Sequence, residues 1–546
     1  MKDLKTCLKG LWNMSSPYRG LMLTTVFVGT LRICCSLTFV WVCKRLIDIV
    51  TGESSAPLYA SVVILCCVML GQIGCGIAYS YIQNLNSMKC RNRLREDFFS
   101  HVLSSGWNGK EEFHTGDTVN RLEEDVRVVA ELLCERIPAV GVTLLQLAAA
   151  SVYMLFLEPS LLWLILVMML LMVGCSKLYF KKIRQLTAEI RADDSLVQQL
   201  VQENLQNRVL VLTLFGVGNV VSKMSGVQDH LQKKTVERLN FNAVARGFMQ
   251  IGFTGGYAVA FLWGLFGILH GTVTFGMMTS FLQLVGQIQR PVADLSTHIP
   301  AFIKSVTSVE RLLELLDLEV EVSRGDVFFE DAPGVRVEDV TFSYDSIPVL
   351  EHFSHDFAPG SLTVINGPTG VGKSTLTRLV LGLLKPLSGK VSVYSAKQGE
   401  VACGVDTRCN FTYVPQGDSL MSGTIRENML FACPDATEED IREALTLSAA
   451  EFVYSLEDGL DTVCGEKGTG LSVGQCQRIA VARAILHKGG VLILDEATSA
   501  LDLDTEARLL DNIRERCSGK RTVIFISHRQ AASRIADCVI SLNTQA

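Results

Sequence analysis

Gly367-Pro368-Thr369-Gly370-Val371-Gly372-Lys373-Ser374-Thr375 is the stretch from which the rest of the chain is read. The apolar run Leu362 to Ile365 before it reads as a buried strand, and Leu376 to Leu384 after it reads as a helix. The spacing G-x-x-x-x-G-K-[ST] is what binding a nucleoside triphosphate requires. Its glycines let backbone N–H groups turn inward around phosphates, and the helix that follows points its positive end at them. Lys373 would reach the outer phosphates, and the Ser374 hydroxyl would hold Mg²⁺. A glycine-rich turn that binds nothing is the plainer alternative, but strand, helix, Lys and Ser standing together argue against it.

Outward from this loop, composition divides the chain. Its 546 residues are 48% apolar and only 19% charged, with positive mean hydropathy, which is unusual for a soluble enzyme of this size. The formal charge of −6 gives no reason to expect a nucleic-acid partner. Several of the 17 cysteines, Cys34, Cys35, Cys66, Cys67 and Cys75 among them, lie in apolar stretches, and no C-x-x-C spacing occurs. Free thiols in a reducing compartment are the expectation.

Before the loop come six apolar spans. Gly20 to Val42 is long enough to cross a bilayer, which takes ~20 helical residues. Ser54 to Met88 carries no charge. Ile137 to Ser176 is split by Glu158-Pro159-Ser160, and Gly247 to Gln289 by the turn near His270-Gly271. The segments Lys89 to Arg136 and Lys177 to Arg246 are rich in Lys and Arg, so they and the N-terminus are placed in the cytoplasm. Lys44 and Arg45 run against that rule. Residues 1–19 read as an amphipathic helix on the membrane surface rather than a cleaved signal peptide. The cytoplasmic segments are expected to prolong the spans as helices. Pro291 to Pro333 is expected to join the halves, with Ser308 to Leu316 as a last helix. The expected division is therefore 1–19 surface helix, 20–316 transmembrane domain, 317–333 linker and 334–546 nucleotide-binding domain. The fold class is a six-helix membrane bundle plus an α/β P-loop NTPase domain.

Inside the spans, Arg32 is expensive in lipid and suggests a cavity, a helix contact or a backbone carbonyl partner. Gln146, Gln250, Gln283 and Gln287 could line a path or bond helix to helix.

Downstream, Val491-Leu492-Ile493-Leu494-Asp495-Glu496 is an apolar strand ending in two carboxylates. Asp495 would hold Mg²⁺ through water, and Glu496 would polarise the water that attacks the γ-phosphate. Leu471-Ser472-Val473-Gly474-Gln475 then resembles the LSGGQ signature of the ABC transporter ATPases, with valine in the third place. The resemblance extends through Gln477-Arg478, Ala482-Arg483-Ala484, Ser499-Ala500-Leu501-Asp502 (the D-loop), His528 (the switch histidine), Gln416 (the Q-loop) and Tyr344 (the aromatic that stacks on adenine). Gly465-Glu466-Lys467-Gly468 resembles the exporters' X-loop. Thr115-Gly116-Asp117 with Arg121 and Asp125 is similar to their first coupling segment, and Glu203 to Gly216 sits where the second belongs. Ser308, Glu310 and Arg311 fit the end of the sixth helix.

The resemblance implies an exporter-type half-transporter. Its cofactors would be ATP and Mg²⁺, the ion held by Ser374, Gln416 and Asp495. Catalysis would fall to Glu496, His528 and Gln416. Nucleotide contacts would come from Tyr344, Gly367 to Thr375, Ser472, Gly474, Gln475 and Asp502. It implies a second half-transporter chain as partner, a homodimer most simply, in a bacterial inner membrane. The substrate would be an amphipathic or hydrophobic lipid, drug-like molecule or peptide. A heterodimer, or an ABC protein gated by ATP without pumping, is the alternative.

Overall fold

The computed structural model describes residues 4–107, 115–344, 347–417, 420–465, 468 and 470–542. Two compact units emerge: Met1–Phe99 with Thr118–Leu316, and Ser100–Asp117 with Asp317–Ala546.

The first unit is helical. Helix α1 (Leu4–Met14) precedes α2 (Arg19–Val50) and α3 (Leu58–Leu103). Then α4 (Thr115–Asn120), α5 (Val126–Glu131) and α6 (Ile137–Leu157) follow one another through two π turns, Arg121–Asp125 and Leu132–Arg136. The remainder is α7 (Pro159–Gln206), α8 (Arg208–Thr213), α9 (Val217–Leu269) and α10 (Phe275–Leu316). At 46, 48 and 53 residues, α3, α7 and α9 are each about 70 to 80 Å long. That is more than twice the ~30 Å hydrocarbon thickness, so apolar span and charged extension form one continuous rod.

The breaks fall where local chemistry demands them. Glu158 is extended and Pro159 opens α7, where its missing N–H costs nothing. Gly271 adopts a left-handed φ of 70° between α9 and α10. One break expected from proline does not occur: α10 passes through Pro291 and Pro300 to Leu316. A mid-helix proline costs about 3 kcal/mol, and here packing outweighs it. Phe281, Leu284, Val285 and Ile288, at helical spacing, are fully buried against α6, α2 and α9.

Polar groups in the spans find partners on neighbouring helices. The Arg32 guanidinium lies 5.0 Å from the Tyr79 ring of α3, and Gln287 donates to Ser36 Oγ at 3.0 Å. Arg45 stacks on Trp41, so a charge that opposes the topology rule rests on an aromatic face. Near the C-terminal end of α10, buried Arg121 donates to Glu314 and to Arg311 O, both at 2.7 Å. Arg311 in turn pairs with Asp125 at 3.2 Å. The π turn is thereby fastened to the end of α10.

The second unit is α/β. Strands β1 (Gly334–Tyr344) and β2 (Ile347–Phe357) form a hairpin, and β3 (Leu362–Asn366) leads into α11 (Lys373–Val380). Helix α11 stops before Leu384 because Gly382 turns left-handed, with backbone at Gly404 where a side chain would begin. Next come β4 (Ser388–Ser395), β5 (Gly399–Ala402), β6 (Phe411–Val414), β7 (Gly423–Thr424), α12 (Ile425–Ala432), α13 (Glu438–Leu447) and β8 (Val463–Cys464). The chain closes with α14 (Val473–Leu486), β9 (Val491–Asp495), α15 (Leu503–Cys517), β10 (Thr522–Ile526), α16 (Gln530–Ile535) and β11 (Cys538–Ser541).

An antiparallel sheet has the order β2-β1-β4-β5, and a parallel one β11-β3-β10-β9-β6. Every residue of β9 and β10 is buried, as a sheet covered on both faces requires. Phe525, in β10, is 1% exposed. Phe525→Ala is expected to cost about 3 to 5 kcal/mol, read as a lower denaturation midpoint of the nucleotide-binding half within the full chain.

Candidate active site

The parallel sheet delivers the site. All strands of a parallel sheet end on the same edge, and ligands bind in the crevice there. Strand β3 runs into the phosphate loop, β9 ends at Asp495, β10 is followed by Ser527 and His528, and β6 leads to Gln416. Four strands adjacent in space therefore bring together residues more than 150 positions apart.

The loop itself depends on glycine at two points. Gly367 has φ 152°, and a Cβ there would lie 2.4 Å from Leu542 O. Gly372, left-handed at φ 104°, caps the start of α11 with Val349 close behind it. Lys373 Nζ donates to Gly367 O (2.6 Å), Pro368 O (3.2 Å) and His528 Nε2 (2.9 Å). Phosphate oxygens are stronger acceptors than these carbonyls, so the ammonium is positioned to exchange them for nucleotide. Ser374 Oγ donates to Asp495 Oδ2 at 3.3 Å, and Tyr413 OH lies 3.4 Å from the same oxygen. Asp495 is almost fully buried, and burial, together with the neighbouring Glu496 carboxylate, raises its pKa above the usual range. A cation beside it would reverse that cost. Hydroxyl, carboxylate and amide oxygens from Ser374, Asp495 and Gln416 are hard donors of the kind Mg²⁺ takes.

Glu496 is held unusually. Its φ is 49°, a conformation that costs a non-glycine residue about 1 to 3 kcal/mol. Its N–H is tied to Ile526 O (3.0 Å). Gln416 Nε2 donates to its carboxylate at 2.6 Å, and His528 Nε2 lies 3.4 Å from the other oxygen. Lys373, Ser374, Gln416, Asp495, Glu496 and His528 thus form one connected cluster. Tyr344 ends β1, its ring edge-on to Phe342 at 5.0 Å.

The signature residues lie in a second group. Ser472 caps α14, accepting from Gln475 N (3.2 Å) while its own N–H donates to Gln475 Oε1 (2.8 Å). Asp502 caps α15 through Thr505 N at 2.9 Å, which holds its pKa low. Gly474 must be glycine, because a Cβ there would lie 2.9 Å from Ala500 O. Among the described residues, Ser472, Gly474, Gln475 and Asp502 bond within these caps and to their own helices, not to the phosphate loop. Glu466 and Lys467 of the expected X-loop lie outside the described residues.

Gln477, which continues the signature, and Arg529, which no motif singled out, fasten the second group to the first. Gln477 donates to Ser499 Oγ (3.0 Å) and accepts from Ala500 N (3.1 Å). Arg529, next to His528, donates to Ser499 O (2.7 Å), Leu501 O (2.9 Å) and the fully buried carboxylate of Glu506 (2.8 Å). The D-loop is thereby clasped from the signature helix on one side and the switch on the other.

Comparison with known proteins agrees with this geometry. Residues 22–292 match the ABC transporter transmembrane region, and residues 350–499 match the ABC transporter family. The chain is 30% identical over 521 residues to "ATP-binding cassette sub-family B member 10, mitochondrial" of Mus musculus, covering 91% of this chain and 72% of that one. It is 28% identical over 561 residues to an "ATP-dependent lipid A-core flippase" of Pasteurella multocida, covering 99% and 94%. A solved bacterial Atm1-family ABC exporter with ATP bound shares the fold, with a TM-score of 0.78 at 21% identity over 96% of this chain and 93% of that one.

Val473 opens α14 and is 57% exposed. Its β-branch restricts the backbone where the resemblance to the ABC signature leads one to expect N–H groups facing phosphate. Val473→Gly is expected to raise the ATPase turnover about 3- to 10-fold, the effect of a donor better aimed rather than newly added. An unchanged rate in a steady-state phosphate-release assay would contradict this.

Proposed function

The chain belongs to the ABC transporter family, and on that premise we propose that two identical copies assemble into one exporter. It is a multi-pass membrane protein of half-transporter architecture, with one ATP-binding domain that hydrolyses ATP to drive export. The observation that carries the pairing is the signature's placement. Ser472 and Gln475 cap α14 and Asp502 of the D-loop caps α15, while the N-terminal end of α14, led by Val473, is exposed. A second copy related by a two-fold axis would receive that helix end over the phosphates bound to its own Lys373.

In this reading, Lys373 neutralises the outer phosphates and Tyr344 stacks on adenine. Ser374, Asp495 and Gln416 would hold Mg²⁺, which would supply charge neutralisation to the phosphates. Glu496 orients and polarises the attacking water, and His528 faces the γ-phosphate. Closure of the pair around ATP can drive the spans only through ATP's preference for the closed state. The substrate proposed is a lipid-like amphiphile moved outward across a bacterial inner membrane, with the ATP-binding domains and N-terminus in the cytoplasm. The flippase name of the P. multocida relative, aligned over 99% of this chain, supports that class. So do spans in which charge is rare and Arg32 stacks on Tyr79.

The test uses the full chain purified in lipid nanodiscs. Glu496→Gln is expected to keep ATP binding and lose hydrolysis by on the order of 100-fold or more, along with lipid-stimulated turnover. Light scattering is expected to give twice the 59.9 kDa chain mass. A lone chain that dimerises only with a partner carrying glycine at the position of Val473 would replace the homodimer with a heterodimer. Full hydrolysis in Glu496→Gln would remove the assignment of the base.

A further inference from the structure

We infer that Arg378, held against Trp107, is a positioning residue that sets the ring of Tyr344 and thereby ties adenine binding to the segment following α3. This rests on the reading of Tyr344 as the adenine-facing aromatic.

The geometry lies within the second unit. Helix α3 ends at Leu103, and the chain continues through Ser104 to Trp107 alongside the nucleotide-binding fold. Trp107 packs on the apolar cluster that contains Leu376 and Leu379 of α11. The Arg378 guanidinium, on the last turn of the same helix, lies 4.6 Å from the centre of the Trp107 ring. Its Nη1 donates to Tyr344 OH at 3.2 Å. One planar cation therefore stacks on one aromatic and orients another, which a lysine at that position could not do.

A second route fastens the same end of the same helix. Gly106 N donates to Glu319 O and Glu321 N to Ser104 O, both at 2.9 Å, so residues 104–106 and 319–321 pair as a short antiparallel bridge. The Glu321 carboxylate then receives both terminal nitrogens of Arg408, at 2.8 and 3.0 Å. Arg408 also donates to Leu381 O (3.4 Å) and Gly382 O (3.2 Å), the carbonyls just past α11. Helix α11 is eight residues long, about 12 Å. Its first residues, Lys373 and Ser374, are those read as meeting the phosphates, and its last turn is bound twice to the chain leaving α3. A displacement at Lys373 is therefore felt at Trp107, and Trp107 in turn biases the aromatic that receives the base.

Packing alone would make Trp107 a space-filler whose loss lowers stability without altering nucleotide recognition. Steady-state hydrolysis by the full chain in nanodiscs separates the two. Trp107→Ala and Arg378→Ala are each expected to raise KM for ATP about threefold or more, with the change carried by KM rather than kcat. The double variant is expected to be no worse than the more affected single one, because both remove the same contact. Trp107→Phe should recover most of the loss, and Arg378→Lys should not. Tyr344→Ala serves as the reference and should raise KM at least as far. If Tyr344→Ala raises KM while Trp107→Ala and Arg378→Ala leave it unchanged, or if the two effects add, the inference is overturned and the site reading stands. An unchanged KM in Tyr344→Ala overturns the adenine reading and this inference with it.

Discussion

Parallel strands must all finish on one edge, and the chemistry of this protein follows from that constraint. The order β11-β3-β10-β9-β6 sets the strand bearing the phosphate loop beside the one bearing the switch histidine, and that one beside the strand bearing the paired carboxylates. A functional group placed just after any of these strands enters the same crevice. The sheet is buried on both faces, so its strands cannot slip without exposing Val, Ile, Leu and Phe side chains to water. The cluster built on them is consequently rigid enough to hold Glu496 in a strained backbone conformation, with Gln416 and His528 on its two carboxylate oxygens.

The same rigidity separates phosphate loop from signature. Helix α14 is capped by its own Ser472 and Gln475, and the D-loop is held between Gln477 and Arg529. These groups are satisfied at home, and the exposed end of α14 is left to act on something outside its own fold. In the membrane half, rods of 46 to 53 residues join apolar spans to charged extensions within one continuous helix, so movement at one end of such a helix reaches the other.

Much of this was legible in the sequence because it is local. The spacing of Gly367, Gly372, Lys373 and Ser374, the apolar strand before Asp495, and the charge-free spans each carry their meaning within some 20 residues. Sequence reading failed where the deciding partner is remote. Helix α10 runs on through Pro291, where a connection with a separate last helix from Ser308 is expected, since the packing of Phe281 and Ile288 against other helices is invisible in the proline itself. Helix α11 was drawn past Gly382 although its turn is forced by the backbone of Gly404. Arg529, Arg378 and Trp107 belong to no local pattern, and their importance lies in groups 23 to 271 positions away. The first π turn, likewise, is fastened by Arg121 bonding with Glu314, a partner that no local signal in Arg121–Asp125 names.

The claim on which the account turns is that each nucleotide is held by the phosphate loop of one chain and the signature of another. Co-expression of two differently tagged chains, one carrying Lys373→Ala and the other Ser472→Ala, tests it directly. Shared sites leave the mixed pair one intact site and one doubly defective, so the tandem-purified pair is predicted to trap about one nucleotide with vanadate, clearly more than either variant paired with itself. If each chain were complete alone, both would be damaged. Trapping no greater than in the single-variant pairs would then contradict the account.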